Sequence, residues 1–295
     1  MSEKFWIYFP VILTCGILFF MLSVLKVLRR RIRLKSLRPS FKENLLRIPG
    51  GSLLRALDNL NEQIHLYLVY VIILPLILYA TLISYFYYRA EQPLLSVIWI
   101  SAIIGSLVFA YLIFNLAKLS SRRKRIRLGY EGELAVGQEL NHLMGQGQGY
   151  LVYHDFPADT FNIDHIIVGE KGVFAVETCT RLKGSGGTGG QEATVTYDGR
   201  MLVYADKNDF ETIELAEQQA DWLSHWLATS TGEPIAVRAV VALPGWVVKR
   251  TSADGIPVVN PGQFASLFEH VKPRPLSETM LTRIKEQLEA KCRHN

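Results

Sequence analysis

The fold of this chain is decided by the stretch Ile163-Asp-His-Ile-Ile-Val-Gly-Glu-Lys-Gly-Val-Phe-Ala-Val-Glu-Thr-Cys179. It contains two apolar, β-branched runs, residues 163–168 and 173–179, on either side of Gly-Glu-Lys-Gly. Two such runs around a short loop that contains glycine predict a β-hairpin. If the loop closes symmetrically, Asp164 lies directly opposite Glu177.

Two carboxylates in this arrangement indicate a cation. Opposed side chains on one face of a hairpin have Cβ atoms about 5 Å apart, and like charges there are destabilising. A bound cation offsets that repulsion, and carboxylate oxygens suit Mg²⁺ or Mn²⁺. The alternative is a strand register shifted by one residue, which turns one carboxylate to solvent at the end of the hairpin.

The charge of the chain is divided unevenly. Residues 1–127 hold 18 Lys and Arg against 5 Asp and Glu, whereas residues 128–295 hold 14 against 22. The net charge is therefore +13 in the first part and −8 in the second. A generally basic DNA-binding surface is excluded for the second part, so a DNA site there must be a local patch. The three cysteines show no metal-ligand spacing, which favours a reducing compartment.

Three apolar segments predict membrane spans, at about residues 5–28, 66–88 and 94–117. The first ends in a run of arginines and lacks a cleavage site after it, so it is interpreted as an anchor. Residues 29–65 contain nine Lys and Arg, and residues 118–127 contain six. The positive-inside rule places both segments in the cytoplasm. We therefore expect a multi-pass protein of the inner (plasma) membrane, with its N-terminus outside and its C-terminal domain cytoplasmic.

The sequence predicts three regions: a transmembrane region at 1–127, a soluble domain at 128–271 and a C-terminal helical tail at 272–295. In the basic loop 29–65, apolar residues at helical spacing after Ser52 predict an amphipathic helix on the membrane surface. The soluble domain is expected to open with a helix at Gly129, which places Glu133 in a first turn, where the helix dipole favours carboxylates.

The rest of the soluble part alternates between strand and helix patterns. Strands are predicted at 150–154, 195–197, 201–203, 235–243 and 257–259, and helices at 213–227, 263–271 and 277–292.

Several motifs of the soluble domain resemble the nuclease-related domain called NERD, a branch of the PD-(D/E)XK nuclease superfamily. The resemblance covers about residues 128–271 and does not extend to the apolar segments. The motifs are Gly132-Glu133, Ile163-Asp164-His165, Gly172-Val173-Phe174 and Val176-Glu177-Thr178, with the turn Tyr197-Asp198-Gly199 and the strand end Leu243-Pro244-Gly245-Trp246.

The resemblance implies a restriction-endonuclease-like α/β fold, in which a mixed sheet is flanked by helices. It also implies metal-dependent cleavage of DNA, with Asp164 and Glu177 holding Mg²⁺ or Mn²⁺ and Glu133 as a supporting ligand. Gln218 or Gln219 is similar to a helix glutamine near the site of related nucleases. We assign Gln219 to the site, and a surface position is the alternative.

Cys179 departs from the family pattern, which normally has a lysine two residues beyond the glutamate. A thiol supplies no cation, and although Arg181 or Lys183 could reach the site, arginine is a poor proton acceptor. Either the role of the lysine has moved, or the domain binds nucleic acid without efficient cutting, or the cysteine is peculiar to this chain. As a side chain, Cys179 is expected to be a small buried hydrophobe. His165 should face away from it, so no Cys–His pair is expected.

The sequence therefore predicts a membrane-anchored, cytoplasm-facing nuclease-like domain that acts on DNA with a metal ion. The alternatives are a catalytically weakened nucleic-acid sensor or tether, and a membrane scaffold for a protein partner. The expected partners are DNA, the lipid bilayer and a protein that the sequence does not specify.

Overall fold

A computed structural model describes residues 46–88, 95–145, 149–182 and 193–293. These residues form two compact units, one containing 56–88 and 95–125 and the other containing 46–55 and 126–293. The predicted span at 5–28 and the residue Lys183 lie outside the described residues.

Two long apolar helices dominate the first unit. They are α1, Gly51–Tyr88, and α2, Leu95–Gly145. Their most apolar stretches have mean hydropathies of 2.5 and 2.1, and large apolar side chains along both remain exposed. The predicted spans at 66–88 and 94–117 fall in these helices. Among the described residues, two helices and not three are therefore long and apolar enough to cross a membrane.

Both helices extend further than the sequence predicts. The amphipathic helix expected within the loop 29–65 is the first part of α1, because no Gly or Pro interrupts residues 53–74. Similarly, α2 continues through the basic run 121–127 and past Gly129. A glycine inside a helix costs about 1 kcal/mol relative to alanine, which is too little to end so long a helix. The prediction that Glu133 lies in a first turn is therefore wrong.

The second unit is built on a mixed sheet flanked by helices, as predicted. The strand order is β1-β2-β3-β7-β9, in which β1, β2 and β3 are antiparallel neighbours and β3, β7 and β9 are parallel. A smaller sheet has the order β6-β5-β4-β8. The strands are β1 Leu151–Pro157, β2 Asn162–Gly169, β3 Gly172–Thr178, β4 Thr194–Tyr197, β5 Leu202–Val203, β6 Asn208–Asp209, β7 Val237–Ala242, β8 Val247–Arg250 and β9 Val258–Val259.

Helices pack on both faces of the five-stranded sheet. They are the end of α2, then α3 Glu211–Thr231, α4 Phe264–His270 after a short 3₁₀ turn, and α5 Glu278–Arg293. Ala175 of β3 belongs to a core that includes residues of α3 and α5, and Phe174 to a core that includes residues of α2 and α4. Successive residues of a strand point to opposite faces, so most of β3 is buried on both sides.

Candidate functional site

The β2–β3 hairpin has the predicted register. His165 pairs with Val176, and the pairing continues to Gly169 with Gly172 at the turn. One further step along the same register sets Asp164 against Glu177. The hairpin expected from the sequence is therefore confirmed, without a slip of one residue.

Asp164 and Glu177 lie on the same face of the sheet. Glu177 alternates along β3 with Ala175, and Asp164 alternates along β2 with Ile166, and both of these apolar residues belong to the core with α3. The backbone N–H of Thr178 donates a 2.8 Å hydrogen bond to Oδ2 of Asp164. Both acidic residues are half-buried, so protein encloses them while part of each remains accessible.

The two carboxyl groups favour protons over charge. Burial raises the pKa of Asp164 well above 3.8, and the neighbouring Glu177 raises it further, while the hydrogen bond from the Thr178 backbone lowers it. Burial also raises the pKa of Glu177 from 4.5 to about 7; a hydrogen bond from Gln219 opposes this rise and Glu133 adds to it. Desolvated acids in contact are not both ionised at neutral pH unless a cation compensates them.

Gln219 reaches the site from α3. Its Nε2 donates a 2.6 Å hydrogen bond to Oε2 of Glu177, and the residue is only 3% exposed. The neighbouring Gln218 is exposed and bonds to Glu214 on the same helix. The structure therefore places Gln219, and not Gln218, beside the carboxylates. Among the described residues, the buried Oε1 of Gln219 has no hydrogen-bond partner.

Glu133 approaches the hairpin from the interior of α2. A Cβ atom on the preceding residue, Gly132, would lie 1.9 Å from Cγ2 of Thr180, so only glycine allows the helix to pack this closely. Burial raises the pKa of Glu133 from 4.5 to about 8, Asp164 and Asp155 raise it further, and a hydrogen bond from the Gly50 backbone lowers it. The three predicted acidic residues thus lie within electrostatic range of one another.

Asp155 is a fourth carboxylate that the sequence analysis missed. It is 1% exposed, and its Oδ2 lies 3.2 Å from Nη1 of Arg47 and 3.6 Å from Nη2 of Arg55. Nδ2 of Asn162 donates to its other oxygen over 2.9 Å. Asp155 directly follows the strand predicted at 150–154, and nothing in that local pattern indicated its arginine partners, of which Arg47 is 108 residues away.

Comparison with known proteins agrees with this geometry. Residues 128–244 match the family model described as the nuclease-related domain. This match contains Glu133, the hairpin and Gln219, and it covers residues 128–244 of the predicted resemblance at 128–271. No curated protein and no solved structure matches the chain.

Cys179, which lies within the matched residues, contacts hydroxyl groups. Oγ1 of Thr212 donates to its Sγ over 3.6 Å, and the hydroxyl of Tyr204 lies 3.9 Å from the same sulfur. Burial raises the pKa of the thiol, and these hydroxyl contacts lower it. Cys179 is half-buried against the apolar core, close to the expected small hydrophobe, and supplies no positive charge.

Arg181 does not replace the missing lysine in this structure. Its Nη2 lies 2.8 Å from Oδ2 of Asp206, and its guanidinium stacks on the Tyr204 ring at 4.4 Å. Its cation is thus bound to another acidic residue.

His165 lies on the face opposite Asp164, as predicted. Its Nδ1 is 2.8 Å from Nδ1 of His154, whose Nε2 is 3.2 Å from Oδ1 of Asn141 on α2. Burial lowers the pKa of His154 from 6.5 to about 4. The histidine pair therefore belongs to the packing of α2 on the sheet and not to the carboxylate group.

The donor set of the candidate site fits a hard divalent cation. Asp164 and Glu177 offer carboxylate oxygens, and Gln219 offers a buried amide oxygen without a partner among the described residues. Within the described ranges, no three His, Cys, Asp or Glu side chains converge closely enough to hold a metal ion together. The Asp164–Glu177 pair is therefore the centre of the candidate site, and Glu133 lies beside it.

Proposed function

We propose that the second unit is a nuclease that hydrolyses phosphodiester bonds of DNA with Mg²⁺ or Mn²⁺. The observation that supports this most directly is the placement of Asp164 and Glu177 on one face of adjacent strands. Their raised pKa values mean that positive charge at this point is favourable. The match of residues 128–244 to the nuclease-related domain supports the reaction class.

In this proposal, Asp164 and Glu177 would hold the ion through their carboxylate oxygens, and Glu133, which lies beside this pair, would be the supporting acidic group. When bound, the ion supplies polarisation of the scissile phosphate and acidification of a water molecule. The Thr178 N–H fixes the orientation of Asp164, and Gln219 fixes that of Glu177. Such hydrogen bonds keep ligating carboxylates in the geometry that binding requires.

A second candidate function is nucleic-acid binding without efficient cleavage, as a sensor or tether. The observation that favours it is Cys179, which stands where the family has a lysine and whose thiol stays neutral because burial raises its pKa. Without a cation there, the charge that develops on the phosphate has less compensation. This candidate predicts salt-dependent DNA binding without turnover.

We also propose that α1 and α2 anchor the protein in the inner (plasma) membrane, with the N-terminus outside and the nuclease-related domain in the cytoplasm. The length, hydropathy and exposed apolar side chains of both helices support this proposal. The exposed basic run 122–125 of α2 fits the cytoplasmic lipid surface. Protease digestion of sealed right-side-out and inside-out vesicles tests it; cleavage of the nuclease-related domain in right-side-out vesicles contradicts the orientation.

The activity is tested with the full chain in detergent micelles, supercoiled plasmid DNA and Mg²⁺ or Mn²⁺. We expect nicking that the double variant Asp164→Asn, Glu177→Gln abolishes. Asp221→Asn, an exposed acidic residue of α3, is the matched control and should cut as the wild type does. Cutting that persists in the double variant rejects these ligands.

The two candidate functions are separated by the variant Cys179→Lys and by binding assays. Binding of DNA without cutting by the wild type, together with cutting by Cys179→Lys, supports the sensor or tether. The absence of both binding and cutting rejects both candidates.

A further inference from the structure

The segment that precedes the apolar helices packs on the nuclease-related domain. Residues 47–55, which we call the docking segment, belong to the same compact unit as residues 126–293. Pro49 lies against α2 where a glycine gives it room, since a Cβ atom on Gly137 would be 2.5 Å from Cγ of Pro49. Leu53 similarly lies next to Gly129 of α2. The docking segment is therefore seated on the helix that contains Glu133.

The docking segment also binds the buried Asp155. Arg47 donates from Nη1 to the backbone oxygen of Asp155 over 2.9 Å and to its carboxylate over 3.2 Å. Arg55 lies 3.6 Å from the same carboxylate, and Gly51, the first residue of α1, lies beside it. Two arginines and a helix N-terminus, where carboxylates are favoured, thus compensate one buried charge.

These contacts reach the proposed metal ligands. Asp155 lies between His154 and Phe156 of β1, whose partners on β2 are His165 and Ile163, so Asp155 stands opposite Asp164. In agreement with this position, Asp155 raises the pKa of Asp164 and of Glu133. The docking segment therefore packs on the helix that carries Glu133 and holds Asp155, which lies beside Asp164.

We propose that the docking segment is part of the functional site and that Arg47 is a positioning residue, which acts through Asp155 and Glu133. This inference rests on the proposed function. It assigns a role to residues outside the match at 128–244. Residues 51–55 of this segment are the start of α1, so the first turn of that helix belongs to the second unit.

The test uses the full chain in detergent micelles and three variants of arginines. Arg47→Met removes the charge and keeps an aliphatic chain, and Arg47→Lys keeps the charge. Arg283→Met is the matched control, because Arg283 pairs with Glu233 at the exposed surface over 3.3 Å. The readouts are Mn²⁺ affinity by calorimetry and amide hydrogen exchange in residues 129–137 and 162–178.

We expect Arg47→Met to weaken Mn²⁺ binding by about 10-fold or more, the usual effect of removing a residue that orients metal ligands. Hydrogen exchange should become faster in both segments. Arg47→Lys should recover part of both effects, and Arg283→Met should match the wild type. The double variant Arg47→Met, Asp155→Asn should exchange more slowly than Arg47→Met alone, since it also removes the buried charge that Arg47 compensates.

If Arg47→Met binds Mn²⁺ and exchanges its amide hydrogens as the wild type does, Arg47 is not a positioning residue. The proposed function is not contradicted by that result. If the wild type binds no Mn²⁺, the metal-dependent function is rejected, and with it the role of Arg47 at a metal site. Faster exchange in Arg47→Met would then still show that the docking segment orders the carboxylates. Equal amide hydrogen exchange in the wild type and all variants would show that the docking segment does not order the carboxylates.

Discussion

At the scale of single residues, the site is defined by acidic side chains in positions that disfavour their charge. Burial is the main cause of the raised pKa values of Asp164, Glu177 and Glu133. Such acidic groups reduce the stability of a protein at neutral pH and are found where a function requires them. Glu133 and Gln219 give two predictions at this scale.

The first prediction concerns the pH dependence of stability in the presence of EDTA. The pKa of Glu133 is about 8 in the folded protein and 4.5 ordinarily. Protonated Glu133 therefore contributes fully to the free energy of unfolding below about pH 4.5, and this contribution is lost as the pH rises through about 8. The melting temperature should therefore fall between about pH 5 and about pH 9. Glu133→Gln should flatten this dependence and stabilise the protein at about pH 9, by on the order of 1–3 kcal/mol.

Thermal unfolding followed by circular dichroism measures this effect. Glu217→Gln, on the exposed side of α3, is the control and should follow the wild-type curve. A melting temperature of Glu133→Gln that falls as steeply as that of the wild type would contradict the buried position of Glu133.

The second prediction concerns the hydrogen bond between Gln219 and Glu177. Gln219→Met keeps the shape of the side chain and removes the donor, so Glu177 loses the contact that fixes its orientation. Mn²⁺ affinity should fall by about 10-fold, as for other residues that orient metal ligands. Gln218→Met changes the adjacent, exposed glutamine and should leave the affinity unchanged. Equal affinities of the two variants would show that Gln219 does not act on the site.

At the scale of elements, the site forms where α2 crosses the end of the β2–β3 hairpin. A long helix brings Glu133 to the strands only if its backbone comes very close, and Gly132 makes that possible against Thr180. The glycine in Gly132-Glu133 is thus explained by packing, and the glutamate by its position beside Asp164. Gly132 thus allows α2 to approach the strands, and Glu133 is the acidic group that this approach brings to the site.

The third prediction tests that contact. Gly132→Ala places a methyl group into Cγ2 of Thr180, and overpacking of this kind costs about 1–3 kcal/mol. Because Thr180→Ser removes that Cγ2 atom, the double variant should recover most of the loss in chemical denaturation. If Gly132→Ala is as stable as the wild type, or if Thr180→Ser does not rescue it, the close approach of α2 is not as described.

At the scale of the whole molecule, sequence order and compact units do not coincide. The unit that contains residues 128–244 also includes residues 46–55, which end within the first turns of α1. The helix α2 likewise continues from an apolar stretch into the domain without a break. A soluble fragment cut at the apparent domain boundary therefore lacks part of the unit.

The fourth prediction follows from this organisation. In a fragment of residues 118–295, Asp155 loses its contacts with Arg47 and Arg55, and the loss of one partner of a buried ion pair costs about 3–5 kcal/mol. The fragment should unfold at lower denaturant concentration than the same unit in the full chain. Asp155→Asn should stabilise the fragment and destabilise the full chain. An effect of the same sign in both would show that residues 46–55 do not compensate Asp155.

The sequence by itself determined the hairpin, its register, the shared face of Asp164 and Glu177, and two of the apolar helices. Each of these features depends on residues that are close in the chain, where alternation of side chains and runs of apolar residues specify the local structure. The match at 128–244 agrees with motifs that are likewise local.

Only the tertiary structure decided that Gln219 and not Gln218 bonds to Glu177, that α2 continues unbroken past Gly129, and that Asp155 and the docking segment belong to the site. Gln219 is 42 residues from Glu177, and Arg47 is 108 residues from Asp155. Contacts of that kind arise when several packed elements bring distant residues together, and no local pattern in either segment encodes its partner. The carboxylates were therefore predictable from the hairpin alone, whereas the arginines that compensate Asp155 were not.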